Sequence, residues 1–100
     1  MLFRSLVFAA PQGEERPRAL QNYPNPFAGA TRIPFRIPSE GQVWLRVYDL
    51  TGRLVLERVG MFPRGSHAFD LKAEELGEGN AWFYQIGGAD WMETKQMTRF

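Results

Sequence analysis

From Thr31 onward, apolar side chains recur at every second residue instead of every third or fourth. Turn-forming residues cut these runs at intervals of about eight to twelve positions. That pattern restricts the chain to antiparallel β-structure. Ile33, Phe35 and Ile37 alternate with Arg32, Pro34 and Arg36, so one face is apolar and the other polar. Pro34 has no N–H to give to a ladder, which places its strand at a sheet edge or leaves one side unpaired. Pro38-Ser39-Glu40-Gly41 turns the chain, and Val43, Leu45 and Val47 then alternate with Trp44, Arg46 and Tyr48. In the hairpin Asp49-Leu50-Thr51-Gly52, the carboxylate can accept turn amides and the glycine supplies a positive φ. Leu54 to Val59 returns, Pro63-Arg64-Gly65 turns again, and His67 to Leu71 forms a short strand. Asp70 is placed to N-cap one helical turn over Lys72–Glu75, ended by Gly77. Ala81 to Ile86 is the most aromatic strand, Gly87-Gly88 a two-residue turn, and Trp91 to Arg99 the last strand. These are six strands, or seven with a short one near Tyr23–Phe27. The expected fold is an all-β, immunoglobulin-like antiparallel β-sandwich.

A chain of 100 residues makes one domain at most. It buries roughly 60–65% of its unfolded surface, so a thin core must rely on large side chains. Eight Phe, three Tyr and three Trp supply them. The absence of cysteine excludes disulfides and thiolate chemistry. No run approaches the ~20 apolar residues of a membrane helix. A net charge of +1 is too balanced to indicate nucleic acid. The charge is nevertheless uneven along the chain, net basic over residues 20–69 and net acidic over residues 70–100. Met1–Ala10 has a basic residue before an apolar stretch, but Leu6–Ala10 is shorter than the ~7–15 residues of a signal-peptide core. It reads instead as the end of an upstream domain, and the polar, proline-bearing stretch from Pro11 to Arg18 reads as a linker. Residues 1–19 are therefore assigned to upstream domain and linker, and residues 20–100 to the β-domain.

No catalytic constellation is visible. His67 is the sole histidine, and its i, i+3 spacing to Asp70 sends the two side chains to opposite faces of a strand. A structural or surface role suits it better. Asp70, Glu74, Glu75 and Glu78 offer hard oxygen ligands for Ca²⁺, although acidic loops are ordinarily solvated, and no metal or other cofactor is expected. The glycines at 77, 79, 87 and 88 lie between strands, not before a helix, so they form no phosphate loop. The aromatics leave two readings open. Trp44 and Tyr48 alternate with Val43, Leu45 and Val47, and Trp82 and Tyr84 with Phe83. Either set faces the core, and a small domain's need for bulk favours the aromatics. Outward-facing rings, Trp44, Trp82 or Trp91, would instead form a sugar-binding platform like those of carbohydrate-binding sandwich modules.

Five motifs in order carry a family resemblance. Asn22-Tyr23-Pro24-Asn25-Pro26-Phe27 opens the domain, and Pro24 and Pro26 restrict the residues before them to extended geometry. Val47-Tyr48-Asp49 with Gly52-Arg53 forms the central hairpin. Gly65 and His67, then Trp82-Phe83-Tyr84-Gln85-Ile86, then Glu93-Thr94-Lys95-Gln96-Met97, complete the set. Over Leu20–Phe100 the chain resembles the C-terminal sorting domain of the bacterial type IX secretion system, found in Bacteroidetes. A more distant likeness is to the immunoglobulin-like domain of flagellar hook-capping proteins. The first resemblance implies a folded, non-catalytic signal that takes a covalently linked upstream cargo from the periplasm to the cell surface or medium. The implied partners are the outer-membrane translocon, a sortase-like peptidase and, through the cargo, surface lipopolysaccharide. The candidates for translocon recognition are Asn22 to Phe27, Asp49, Gly52, Arg53, Lys95, Met97, Arg99 and Phe100. Each group has an equal structural reading as rigid entry, hairpin closure or sheet completion.

Overall fold

A computed structural model describes residues 16–100 of the chain. The reading of Met1–Ala10 and most of the linker lies outside the described residues. Seven strands run in chain order: β1 (Arg18–Ala19), β2 (Ala30–Ile37), β3 (Gly41–Tyr48), β4 (Leu54–Phe62), β5 (Gly65–Lys72), β6 (Ala81–Gly87) and β7 (Met92–Thr98). They form two antiparallel sheets, β1-β2-β5 and β4-β3-β6-β7. This is the sandwich expected from the period-two pattern, with Greek-key-type crossovers between sheets. The seventh strand is not near Tyr23–Phe27, where only isolated bridges from Tyr23 and Phe27 form. It is β1, and Ala19, paired with Phe35, is buried in the core. The folded unit therefore starts before residue 20.

The inner faces settle the alternation. Ile33, Phe35 and Ile37 of β2 face Val43, Leu45 and Val47 of β3, with Leu56, Trp82, Tyr84, Ile86 and Met97 completing the core. On β3 the aliphatics are thus inside and Trp44 and Tyr48 sit half-buried on the outer face, the reverse of the core reading for that strand. The aromatics do fill the core on β6, where Trp82 and Tyr84 are buried and Phe83 faces out. A second aromatic group, Phe35, Phe62 and Phe69, packs with His67 at the end of β5. His67 donates from Nε2 to the Pro63 carbonyl at 2.7 Å, so it is a satisfied structural histidine.

Three local expectations are corrected. β2 lies in the middle of its sheet, not at an edge. Pro34 is tolerated because its carbonyl accepts Leu20 N–H at 3.0 Å, which turns its missing donor toward the short arm and leaves the β5 ladder intact. Asp70 caps nothing; it lies within β5 and pairs with Arg32 across the ladder at 2.8 Å. The single helical turn is a 3-10 turn, Ala73–Leu76, started by Lys72, whose N–H donates to Glu75 Oε1 at 2.9 Å. Glu75 also pairs with Arg58. The Arg32–Asp70 and Arg58–Glu75 pairs join the basic and acidic segments of the chain at two points. Among the described residues no group of His, Cys, Asp or Glu is placed to hold a metal ion.

Candidate functional site

Residues 20–29 form an arm that crosses from one sheet to the other. On the β2 side, Tyr23 exchanges two backbone hydrogen bonds with Arg32, at 2.8 and 2.9 Å. On the β7 side, Phe27 N–H donates to Thr98 O and Phe100 N–H donates to Phe27 O, both at 3.0 Å. Side-chain hydrogen bonds along this path, from β1 to Asn25, take the place of a missing strand on the β7 edge. Glu93 accepts Ala19 N–H at 2.8 Å, Gln21 donates to Gln96 O at 2.9 Å, and Asn25 accepts Thr98 N–H at 2.9 Å. An exposed strand edge is a template for unwanted pairing; here side-chain groups of the arm cover it.

The arm owes its fixed path to one buried polar cluster. The Tyr84 hydroxyl accepts Asn22 N–H at 3.0 Å and donates to Leu20 O at 2.9 Å. The Leu20 carbonyl is free to take that bond because Pro34, opposite, has no N–H. The buried Asn22 amide donates to Thr31 Oγ1 at 3.0 Å and to Pro24 O at 3.2 Å, and the Thr31 hydroxyl donates to Pro24 O at 2.9 Å. Burial of the phenol pushes Tyr84 up to about 12, against a smaller opposing effect of the Asn22 N–H. Both peptide bonds preceding Pro24 and Pro26 are cis.

The hairpin follows the expected chemistry closely. Asp49 and Arg53 close a three-residue loop whose last member, Gly52, has φ +89°. Asp49 Oδ1 accepts the Thr51 hydroxyl at 2.6 Å, Thr51 N–H at 2.9 Å and Arg53 N–H at 3.0 Å. The Thr51 hydroxyl, then the Arg53 amide, hold the Asp49 carboxyl below its ordinary range, with a lesser contribution from the Arg53 charge.

Register places the hairpin, arm and chain end at one pole. Tyr48 pairs with Phe83, Phe83 with Gln96, and two residues further Ala81 with Thr98. The hairpin loop beyond Tyr48 therefore projects at the end where β7 stops and the arm docks. Of the residues singled out for recognition, Asn22, Phe27 and Met97 are buried and serve packing. Lys95 and Arg99 are half-buried, with the Arg99 guanidinium 5.5 Å from the centre of the Trp82 ring. Tyr23 and Phe100 are 77% and 85% exposed, and Pro24, Asn25, Pro26, Gly52 and Arg53 also face solvent. A cleft of about 620 Å³ beside Tyr23 and Pro24 is bounded by Thr31, the Arg32–Asp70 pair and Glu74. A smaller one of about 270 Å³ lies under the hairpin between Leu50 and Phe83. This pole carries the exposed aromatics Tyr23 and Phe100 beside the turn of the hairpin.

Sequence reasoning missed Tyr84, Thr31 and Gln21, which bind the arm to the sandwich. The signal for Tyr84 was its polar tip on the apolar face of β6. Trp82, one of three candidate sugar platforms, is 1% exposed and offers no face to a ligand, whereas Trp44 and Trp91 remain accessible.

The family model for the secretion system C-terminal sorting domain matches residues 21–97. The chain belongs to that family. No curated protein matches it. The sorting domain is a signal for type IX secretion, which implies contact with that machinery and export to the cell surface or medium. The match opens within the arm and ends at Met97, so it spans nearly all the elements that assemble the pole.

Proposed function

We propose that the pole formed by the arm, the Asp49–Arg53 hairpin and the Lys95–Phe100 segment is the surface read by the outer-membrane type IX translocon. The supporting observation is the backbone pairing of Phe27 with Thr98 and Phe100, which fuses two distant motifs into one surface. In this reading Tyr23, Asn25, Arg53 and Phe100 contact the translocon. Asn22, Pro24, Pro26, Phe27, Asp49, Gly52 and Met97 hold that surface in shape, and Lys95 and Arg99 flank it. The cargo is attached on the N-terminal side, where β1 pairs with the far end of β2. Signal and cargo therefore sit at opposite poles, and the translocon can engage one without being blocked by the other. The domain passes through the periplasm with its cargo. A sortase-like peptidase then cuts in the segment before Arg18, and the cargo is released or joined to surface lipopolysaccharide.

The test fuses the full chain behind a signal peptide and a fluorescent cargo in a type IX-competent bacterium, with a translocon-null strain as control. Tyr23→Ser and Phe100→Ser, at exposed positions, should leave the melting temperature unchanged and strand cargo in the periplasm. Full export of both variants would refute the assignment of this pole.

A further inference from the structure

The opposite pole carries a cleft of its own. A cleft of about 590 Å³ opens where the β2–β3 and β6–β7 turns meet, and both Trp44 and Trp91 line it. Its volume falls within the roughly 300–1,000 Å³ of small-molecule sites. Gly87 and Gly88 shape it. A Cβ on Gly87 would lie 2.7 Å from Trp44 Cζ2, and one on Gly88 would lie 2.4 Å from Trp91 Nε1. The two indoles thus occupy the space that side chains on these residues would need. Each ring is also held from another side. The Arg46 guanidinium lies 4.4 Å from the centre of the Trp44 ring, and Trp91 packs against the core.

Pro17 lines the cleft too, and among the described residues the polar side chains of its wall enter no ion pair. Glu40 and Asp90 are exposed, and neither belongs to an ion pair among the described residues. Gln42 lines the same wall. Flat, pinned aromatic surface bordered by free carboxylate and amide groups matches the chemistry of a pyranose ring, which has an apolar C–H face and a rim of hydroxyls. A hydrated metal ion would seek the carboxylates but not the indoles, and a purely apolar ligand would leave the carboxylates unused. An organic ammonium, which indoles also attract, would meet the Arg46 charge already seated on Trp44.

We infer that this cleft binds a neutral saccharide, with Trp91 and Trp44 against the sugar face, the Glu40 and Asp90 carboxylates accepting from its hydroxyls and the Gln42 amide accepting or donating. The site is independent of the sorting surface at the other pole, so the domain carries its signal and a glycan contact at opposite ends.

The test titrates the full chain with soluble β-glucan, xylan and mannan, followed by tryptophan fluorescence and calorimetry. Saturable binding to at least one, with a shift in emission, is expected. The Glu40→Gln/Asp90→Asn double variant should keep the wild-type melting temperature and bind roughly tenfold more weakly, through loss of charge-assisted hydrogen bonds. Gly88→Ala, which displaces Trp91, should weaken binding likewise. No saturable binding to any of the three polysaccharides would overturn the inference, as would binding that both variants leave unchanged. Export in the secretion assay should be untouched by the double variant, which separates failure of this site from failure of the sorting surface.

Discussion

Tyr84→Phe isolates the bond that locks the arm. The phenyl ring keeps its place in the core, so no cavity is created, and only the hydroxyl is lost. Two backbone groups then lose their partner: the N–H of buried Asn22 and the carbonyl of Leu20, which has no alternative donor in Pro34. A buried group left unsatisfied costs about 1–3 kcal/mol. Leu20 is partly exposed and its carbonyl recovers water, so the expected total is about 2–3 kcal/mol. For a domain of this size each kcal/mol lowers the melting temperature by about 4–8 °C, giving a fall of roughly 10–20 °C. Urea denaturation at neutral pH measures it directly, and hydrogen exchange should show the Asn22 amide losing its protection before the core strands do. The pH dependence supplies a second reading. The folded-state value for Tyr84 is pushed up to about 12 from its ordinary 10. The stability from the protonated phenol is complete below pH 10 and is lost as pH rises toward 12. The alkaline fall in the wild type should be shallower in Tyr84→Phe. A variant within about 0.5 kcal/mol of wild type, with Asn22 still protected, would refute the reasoning.

Trp82→Ala removes a fully buried side chain that packs on Phe27 and lies under Arg99. It should cost about 3–5 kcal/mol, a large part of the stability of a small domain, as read by urea denaturation. Thr31→Val keeps the shape of the side chain but breaks the Asn22–Thr31–Pro24 cluster. A loss of about 1–2 kcal/mol is expected, with exchange broadening confined to the arm in NMR spectra. Asp49→Ala removes the acceptor for three hydrogen bonds in the hairpin. Because the Asp49 carboxyl is held below its ordinary range, its contribution is present above the unfolded value and disappears as pH falls through the acidic range. The variant should be less stable at neutral pH and show a shallower acid limb, measured by denaturation between pH 2 and 7.

Most strands were legible because alternation and turn chemistry agreed. The Asp49–Gly52 loop could be read residue by residue, since its carboxylate and its glycine each have one use there. On β3, alternation identified two faces without saying which was inner, because both are apolar enough to be buried. The choice depended on the aliphatic stripe of β2 across the sandwich, a contact that no local pattern contains. β4 was expected to stop at Val59 but runs on to Phe62. Gly60 does not end the strand. It makes room for the Phe62 ring, which a Cβ would approach to 2.9 Å. Asp70 had a capping signature, yet a cross-strand arginine was a better partner than a single helical turn. β1 was invisible because two residues show no period. Among the site residues, the arm and the chain end were found as separate motifs, and only the fold joined them.

If the translocon reads that junction, as proposed, recognition depends on the order in which the chain is made. Gln21 meets Gln96 across 75 positions, and Asn25 meets Thr98 across 73. Closing loops of that length gains nothing until the final strand is in place. The arm emerges from the ribosome early but has no edge to dock on until β7 has been made and paired. A receptor that needs arm and tail side by side would therefore refuse a truncated or half-folded chain without inspecting its core. On that reading the joint between the two ends would serve as a certificate of completion, since it cannot form before the final strand is in place.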